Sequence, residues 1–88
     1  MKAKEGFDVV EIAGEYMAIP VGSMADEFHG VVALTEGAAF LLKNMNVPKN
    51  KEDLIQLLLN EYDIDKVTAE KDLEEVLQKF IEIGLIEQ

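Results

Sequence analysis

The sequence predicts an α+β domain in which a three-stranded antiparallel sheet is followed by three helices. Before Thr35 the chain consists of short β-branched and alternating runs; after it the apolar residues recur at three- and four-residue steps. The breaks agree with that division, since Gly14, Pro48 and Gly84 fall between runs and not inside them. Strands grouped ahead of helices argue for a sheet packed on a helical layer.

The first strand is expected at Phe7 to Ile12, which is rich in Val and Ile and free of Pro and Gly. Ala13-Gly14 reads as a turn, with Gly14 able to supply a positive φ. Glu15 to Val21 alternates, Met17, Ile19 and Val21 facing one way and Tyr16 and Ala18 the other, as a half-buried second strand. Gly22 to His29 is a longer connection, and Gly30 to Leu34 reads as a short third strand.

Thr35 is placed to cap a helix running to about Asn44, with Glu36 near its positive end. Pro48 marks a break. Asn50 with Asp53 forms a capping pattern for a second helix, whose Leu54, Ile55, Leu58, Leu59 and Tyr62 share a face. Asp63 or Asp65 caps the last helix, Lys66 to Ile83, and Gly84 stops it. Leu85 and Ile86 are expected to dock back onto the core.

The chain has 88 residues, of which 49% are hydrophobic, enough for one core and one domain spanning residues 1–88. It has no cysteine, so neither a disulfide framework nor a thiolate metal site is available. Neither a signal peptide nor a membrane span is evident, and a cytoplasmic location is expected. The net charge is −10, and every base is a scattered Lys. Phosphate backbones and anionic membranes are held by clustered cations, so nucleic acid and membrane are poor partners.

Catalysis needs a positioned nucleophile, base or metal. His29 is the only histidine and reads as a polar loop residue; Ser23 is the only serine and lacks a nucleophile-elbow setting. Asp63, Asp65 and Glu70 do not follow the spacing of a calcium loop. Glu70, Glu74 and Glu75 read as a solvated helix face. No catalytic residue, metal ligand or cofactor is assigned, and a non-enzymatic role is expected.

Two features point to binding. In a meander the third strand is an edge, and Gly30-Val31-Val32-Ala33-Leu34 carries none of the charges that usually protect one. Such an edge is either covered by the protein's own chain or open to a partner strand. The last helix carries apolar Ala69, Leu73, Val76, Leu77, Phe80, Ile81 and Ile83. At 100° per residue these span roughly 160°, wider than one packing face requires. The helix either packs on both neighbours or lends part of this stripe to a groove beside the third strand. Edge pairing gives affinity, and pockets beside it give specificity.

Several segments in order resemble the PqqD-like family, the standalone precursor-peptide recognition element of ribosomal peptide modification. They are Glu11-Ile12-Ala13-Gly14-Glu15-Tyr16, Pro20-Val21-Gly22, Phe28-His29-Gly30 through Leu34-Thr35-Glu36, Ala39-Phe40-Leu41, Tyr62-Asp63, Asp72-Leu73, and Leu77 through Gly84-Leu85-Ile86. Thr35 and Leu42 stand where family members often have Asn and Trp; Thr caps a helix nearly as well as Asn. The resemblance implies a winged-helix-like fold and a leader peptide added as a fourth strand beside the third, in a cleft against the last helix. It implies strand partners Val31, Val32, Ala33 and Leu34, and a cleft wall drawn from Leu73, Val76, Leu77 and Phe80. It also implies a peptide-modifying enzyme as a second partner, in many cases a radical SAM enzyme carrying its own iron–sulfur clusters.

On this basis a proline at Val32 is expected to abolish leader binding. The alternatives are a winged-helix DNA-binding domain, another protein–protein interaction domain, and an acidic carrier protein. The first needs a basic recognition helix, but the last helix sets Glu70, Asp72, Glu74, Glu75 and Glu82 against Lys66, Lys71 and Lys79. The carrier needs a Ser at a helix start in an all-helical fold, whereas Ser23 lies beside a strand. An open edge permits either a monomer or a strand-exchanged dimer.

Overall fold

A computed structural model describes all residues, 1–88. In chain order the elements are β1 (Lys2–Ala3), β2 (Phe7–Ile12), β3 (Glu15–Pro20), α1 (Met24–Glu27), β4 (Val32–Leu34), α2 (Glu36–Lys43), α3 (Lys51–Glu61), α4 (Lys66–Ile83) and β5 (Ile86–Glu87). The expected α+β architecture is present, with β2-β3-β4 as an antiparallel meander and helices on one of its faces.

The β2–β3 hairpin turns on Ala13 (φ 53°) and Gly14 (φ 81°). Two successive positive φ angles are those of a type I′ turn, whose twist matches the flanking strands. Ala13 adopts this region against its own Cβ, a cost of about 1 kcal/mol. Ala13→Asn, which creates the preferred Asn-Gly turn, is therefore expected to add about 1 kcal/mol of stability. Urea unfolding checks this: the midpoint rises at unchanged m-value.

The three helix starts follow the sequence. The Thr35 side chain accepts from the Ala38 N–H (3.1 Å). Asn50 and Asp53 exchange both bonds of a capping box (2.8 and 3.1 Å). Asp65 rather than Asp63 caps α4, accepting from the Thr68 N–H at 2.8 Å. Its hydrogen bonds with Thr68 hold the Asp65 carboxyl below the usual range. Gly84 ends α4 with φ 90°, a left-handed stop that a Cβ would strain.

Leu41, Met45, Leu54, Leu73, Phe80 and Leu85 are fully buried, and no polar side chain is buried with them. Ala18 is the only fully buried residue of the meander. The core face of β3 is thus the Tyr16–Ala18 face. Met17 and Ile19 point to the opposite, outer face and are half-buried there. Phe7, Val9, Val32 and Leu34 join the core from the same side as Ala18.

Three details depart from the sequence reading. The Gly22 to His29 connection contains the one-turn α1, held down by Met24 against Gly6 and by an edge-to-face contact of Phe28 with Phe7 (5.2 Å). The third strand is shorter than expected and starts at Val32, after Gly30 at φ 101°. Leu85 and Ile86 are buried as expected, but Ile86 also pairs with Ala3 in an unforeseen two-stranded ribbon of β1 and β5. Ala3 donates to the Met45 carbonyl (2.7 Å) and Lys49 to that of Met1 (2.7 Å), fastening this ribbon to the α2–α3 connection.

Candidate functional site: a cleft beside a free strand edge

The hydrogen-bond phase of the meander follows from the turn. A two-residue hairpin makes its flanking residues, Ile12 and Glu15, a bonded pair. Bonded pairs then alternate along the ladder to Val10–Met17 and Asp8–Ile19. The next such step is Val21 N–H to the Gly6 carbonyl, present at 2.8 Å. Tyr16 and Ala18 must therefore turn their backbone groups to β4, where they meet Leu34 and Val32. Pro20 falls in the same phase, where no strand asks for its missing donor.

On β4 the consequence is definite. Val32 and Leu34 spend their backbone groups on β3, and Ala33 directs its N–H and C=O outward. In this phase Ala33 has no bonding partner on β3, and no turn, loop or cap hydrogen bond takes up its groups or the Thr35 N–H. The edge left open by the sequence reading is uncovered.

Beside this edge lies a cleft of about 440 Å³. One side is Val32, Ala33, Leu34 and the first turn of α2; the other is α4 through Asp72, Glu75, Val76, Lys79, Phe80 and Ile83. Tyr62 and Ile64, from the α3–α4 connection, and the buried Leu41 and Leu58 complete the lining.

Of the eight expected site residues, the structure brings Val32, Ala33, Leu34, Val76 and Phe80 together at this cleft. Val31 stands just before the strand, 56% exposed and outside the cleft. Leu73 and Leu77 also lie outside it, 1% and 3% exposed in the core. The reason is helical phase. Ala69, Leu73, Leu77 and Phe80 form the core face of α4, and the cleft face centred on Val76 and Asp72 is rotated from it by roughly 60–100°. Phe80 sits at the boundary and belongs to both.

The sequence reading missed Asp72, Glu75, Lys79 and Ile83 as cleft residues. The steps of four, three and seven that relate Asp72, Lys79 and Ile83 to Val76 are the available signal, whereas Glu75 reads as part of a solvated face and Ile83 as part of the apolar stripe. Tyr62 and Ile64 reach the cleft only through the tertiary packing of α3 on α4, which local pattern does not carry.

The charges in the cleft are unevenly placed. The Tyr62 hydroxyl donates to Glu36 Oε2 at 3.3 Å, so the start of α2 lies against the segment that leads into α4. α4 therefore begins on the Glu36 side of the cleft, and along it Asp72 comes first, Glu75 about one turn later and Lys79 one turn beyond that. Glu36, Asp72, Glu75 and Lys79 form no ion pair; the chain's two pairs are Lys2–Glu5 and Lys51–Glu74. Glu36 also contributes to the upward shift of two phenols, behind larger causes. Burial and then the Glu36 carboxylate push Tyr62 above the usual phenol range. The Glu11 charge, burial and Glu36 do the same to Tyr16.

The family model for coenzyme PQQ synthesis protein D (PqqD) matches residues 10–86. The chain belongs to the PqqD family. Among solved structures, this PqqD-family chain is similar to TbiB1 in complex with the TbiA(beta) leader peptide, with TM-score 0.73, 20% identity, and 99% of this chain and 95% of that one covered. It is likewise similar to a lasso peptide synthetase B1 complexed with the leader peptide, with TM-score 0.71, 17% identity, and 99% and 96% covered. At such identities the likeness is one of fold. No curated protein sequence matches. The matched segment contains the whole β3–β4 edge and all of α4, and so both walls of the cleft.

Proposed function

We propose that this PqqD-family chain, residues 1–88 acting as one domain, binds the leader of a ribosomally made precursor peptide. It takes the leader as an added strand on β4 and presents it to a separate modifying enzyme, with a radical SAM enzyme as one such partner. The observation that carries this reading is the unengaged backbone of Ala33 beside an apolar cleft. Main-chain pairing supplies affinity, and the cleft receives alternate side chains. The two structural neighbours are complexes with leader peptides, which supports the same use of this fold here.

Within this reading the strand contacts come from Ala33, flanked by Val31 and Thr35. Val32 and Leu34 offer side chains to the cleft floor, and Val76 and Phe80 form its apolar wall. Leu73 and Leu77 act one layer deeper, by holding α4 in place. The chain supplies recognition and its partner supplies the chemistry. Duplex DNA fits poorly, because Asp72 and Glu75 would face phosphates across the cleft and neither is neutralised by a cation.

The test is amide hydrogen exchange, with and without a synthetic leader from a precursor gene beside this one. Ala33 and Thr35 amides are expected to exchange freely in the free protein and to become protected on binding. A bound leader that left both amides unprotected would rule out strand addition.

A further inference from the structure

We infer that the cleft selects extended segments of the pattern basic–x–apolar–x–apolar, read from the peptide's N-terminus, with the basic side chain held by Glu36, Asp72 and Glu75. This rests on the strand-addition reading and deepens it to a class of sequence.

The spacing follows from the ladder. A peptide pairs antiparallel with β4 more favourably than parallel, in keeping with the rest of the sheet. Its bonded residue lies opposite Ala33 and points that side chain to the outer face. The residues opposite Leu34 and Val32 point inward, because cross-strand partners share a face and Leu34 and Val32 pack toward the helices. Those two residues, two positions apart, enter the space bounded by Val76, Phe80 and Ile83. Apolar side chains suit that wall.

One more step of two residues toward the peptide's N-terminus leads past Leu34 to the level of Glu36. There the surroundings change. Glu36, Asp72 and Glu75 bring three carboxylates without a paired cation, together with the Tyr62 ring and hydroxyl. A Lys or Arg side chain satisfies them by charge and by contact with the aromatic face. An acidic side chain at that position is repelled. Beyond Glu75 along α4 the only cleft charge is Lys79, one turn on, and the lining then ends in apolar Phe80 and Ile83, so the preference has a direction along the strand.

The experiment is selection of a random twelve-residue display library on the purified chain, followed by calorimetry on recovered peptides. Recovered sequences are expected to carry Lys or Arg two positions before the first of two apolar residues that are themselves two apart. Glu36→Gln and Asp72→Asn are each expected to weaken binding about two- to fivefold, less at high salt. Glu36→Lys, which leaves Asp72 and Glu75 beside a cation, is expected to weaken or abolish the preference for Lys or Arg at that position. Apolar alternation without a charge preference, or a preference unchanged in Glu36→Lys, overturns this inference and leaves strand addition standing. If no peptide is recovered, or recovered peptides bind Ala33→Pro as well as the wild type, the strand-addition reading falls with it. A peptide-free dimer with protected Ala33 amides would make a second copy of the chain the natural occupant, and overturns both.

Discussion

Ala33→Pro is expected to weaken leader binding about tenfold or more while leaving the fold intact. Ala33 is the one β4 residue whose N–H and C=O both face away from β3, and nothing in the chain engages them. Proline there removes the outward donor without taking any bond from the meander, and an edge strand tolerates it on that side. The peptide carbonyl that would have met the donor is left unpaired in a partly desolvated cleft. That costs about 1–3 kcal/mol, and each 1.4 kcal/mol is tenfold in affinity. Calorimetry gives the loss, and a melting curve within a few degrees of wild type shows that the fold survived.

Proline at Val32, the choice that sequence alone recommends, makes the wrong break. Val32 faces Ala18 in a bonded pair, so its N–H belongs to β3. Val32→Pro is expected to detach β4 from the sheet and to lower stability as well as binding. If the two prolines behave in the reverse way, the ladder phase deduced from the Ala13-Gly14 turn is wrong.

The second large effect is on stability. Phe80 is 2% exposed, among the largest fully buried side chains, and also forms part of the cleft. Phe80→Ala deletes a core ring and is expected to cost about 3–5 kcal/mol, the whole margin of many domains this small. By the usual size scaling the melting point drops by about 15–30 °C, or folding is lost. Val76→Ala, at a half-buried position on the cleft wall, is expected to cost only about 1 kcal/mol while widening the groove. Urea unfolding of the two variants separates the roles. A Phe80→Ala protein as stable as Val76→Ala would mean that the ring serves the cleft and not the core.

Much of the fold is legible in residue order because the rules that set it act within a turn or two. The Thr35 and Asn50–Asp53 caps need only neighbours three positions away, and both form as expected. The bounds of α4 follow from an acidic cap and a glycine stop, and the first strand from an uninterrupted Val/Ile run. The α1 turn was not legible, because Met24–Glu27 gains its place from Gly6 and Phe7 across the hairpin base. The β1–β5 ribbon was not legible either: two-residue strands carry no pattern, and Lys2 meets Glu87 from the opposite end of the chain.

The candidate site divides along the same line. From the residues themselves came an uncharged third strand and a last helix too apolar for a single face. They also excluded a cysteine-based site and made a phosphate-binding role unfavourable on charge. Whether the strand edge was covered, which of its residues points outward, and which stripe of α4 borders it were settled by tertiary packing. A backbone donor is free or bound according to partners far away in sequence, and a helix face is core or cleft according to what is packed against it. Leu73 and Val76 are three residues apart on one apolar stripe, yet one is sealed in the core and the other borders the open groove.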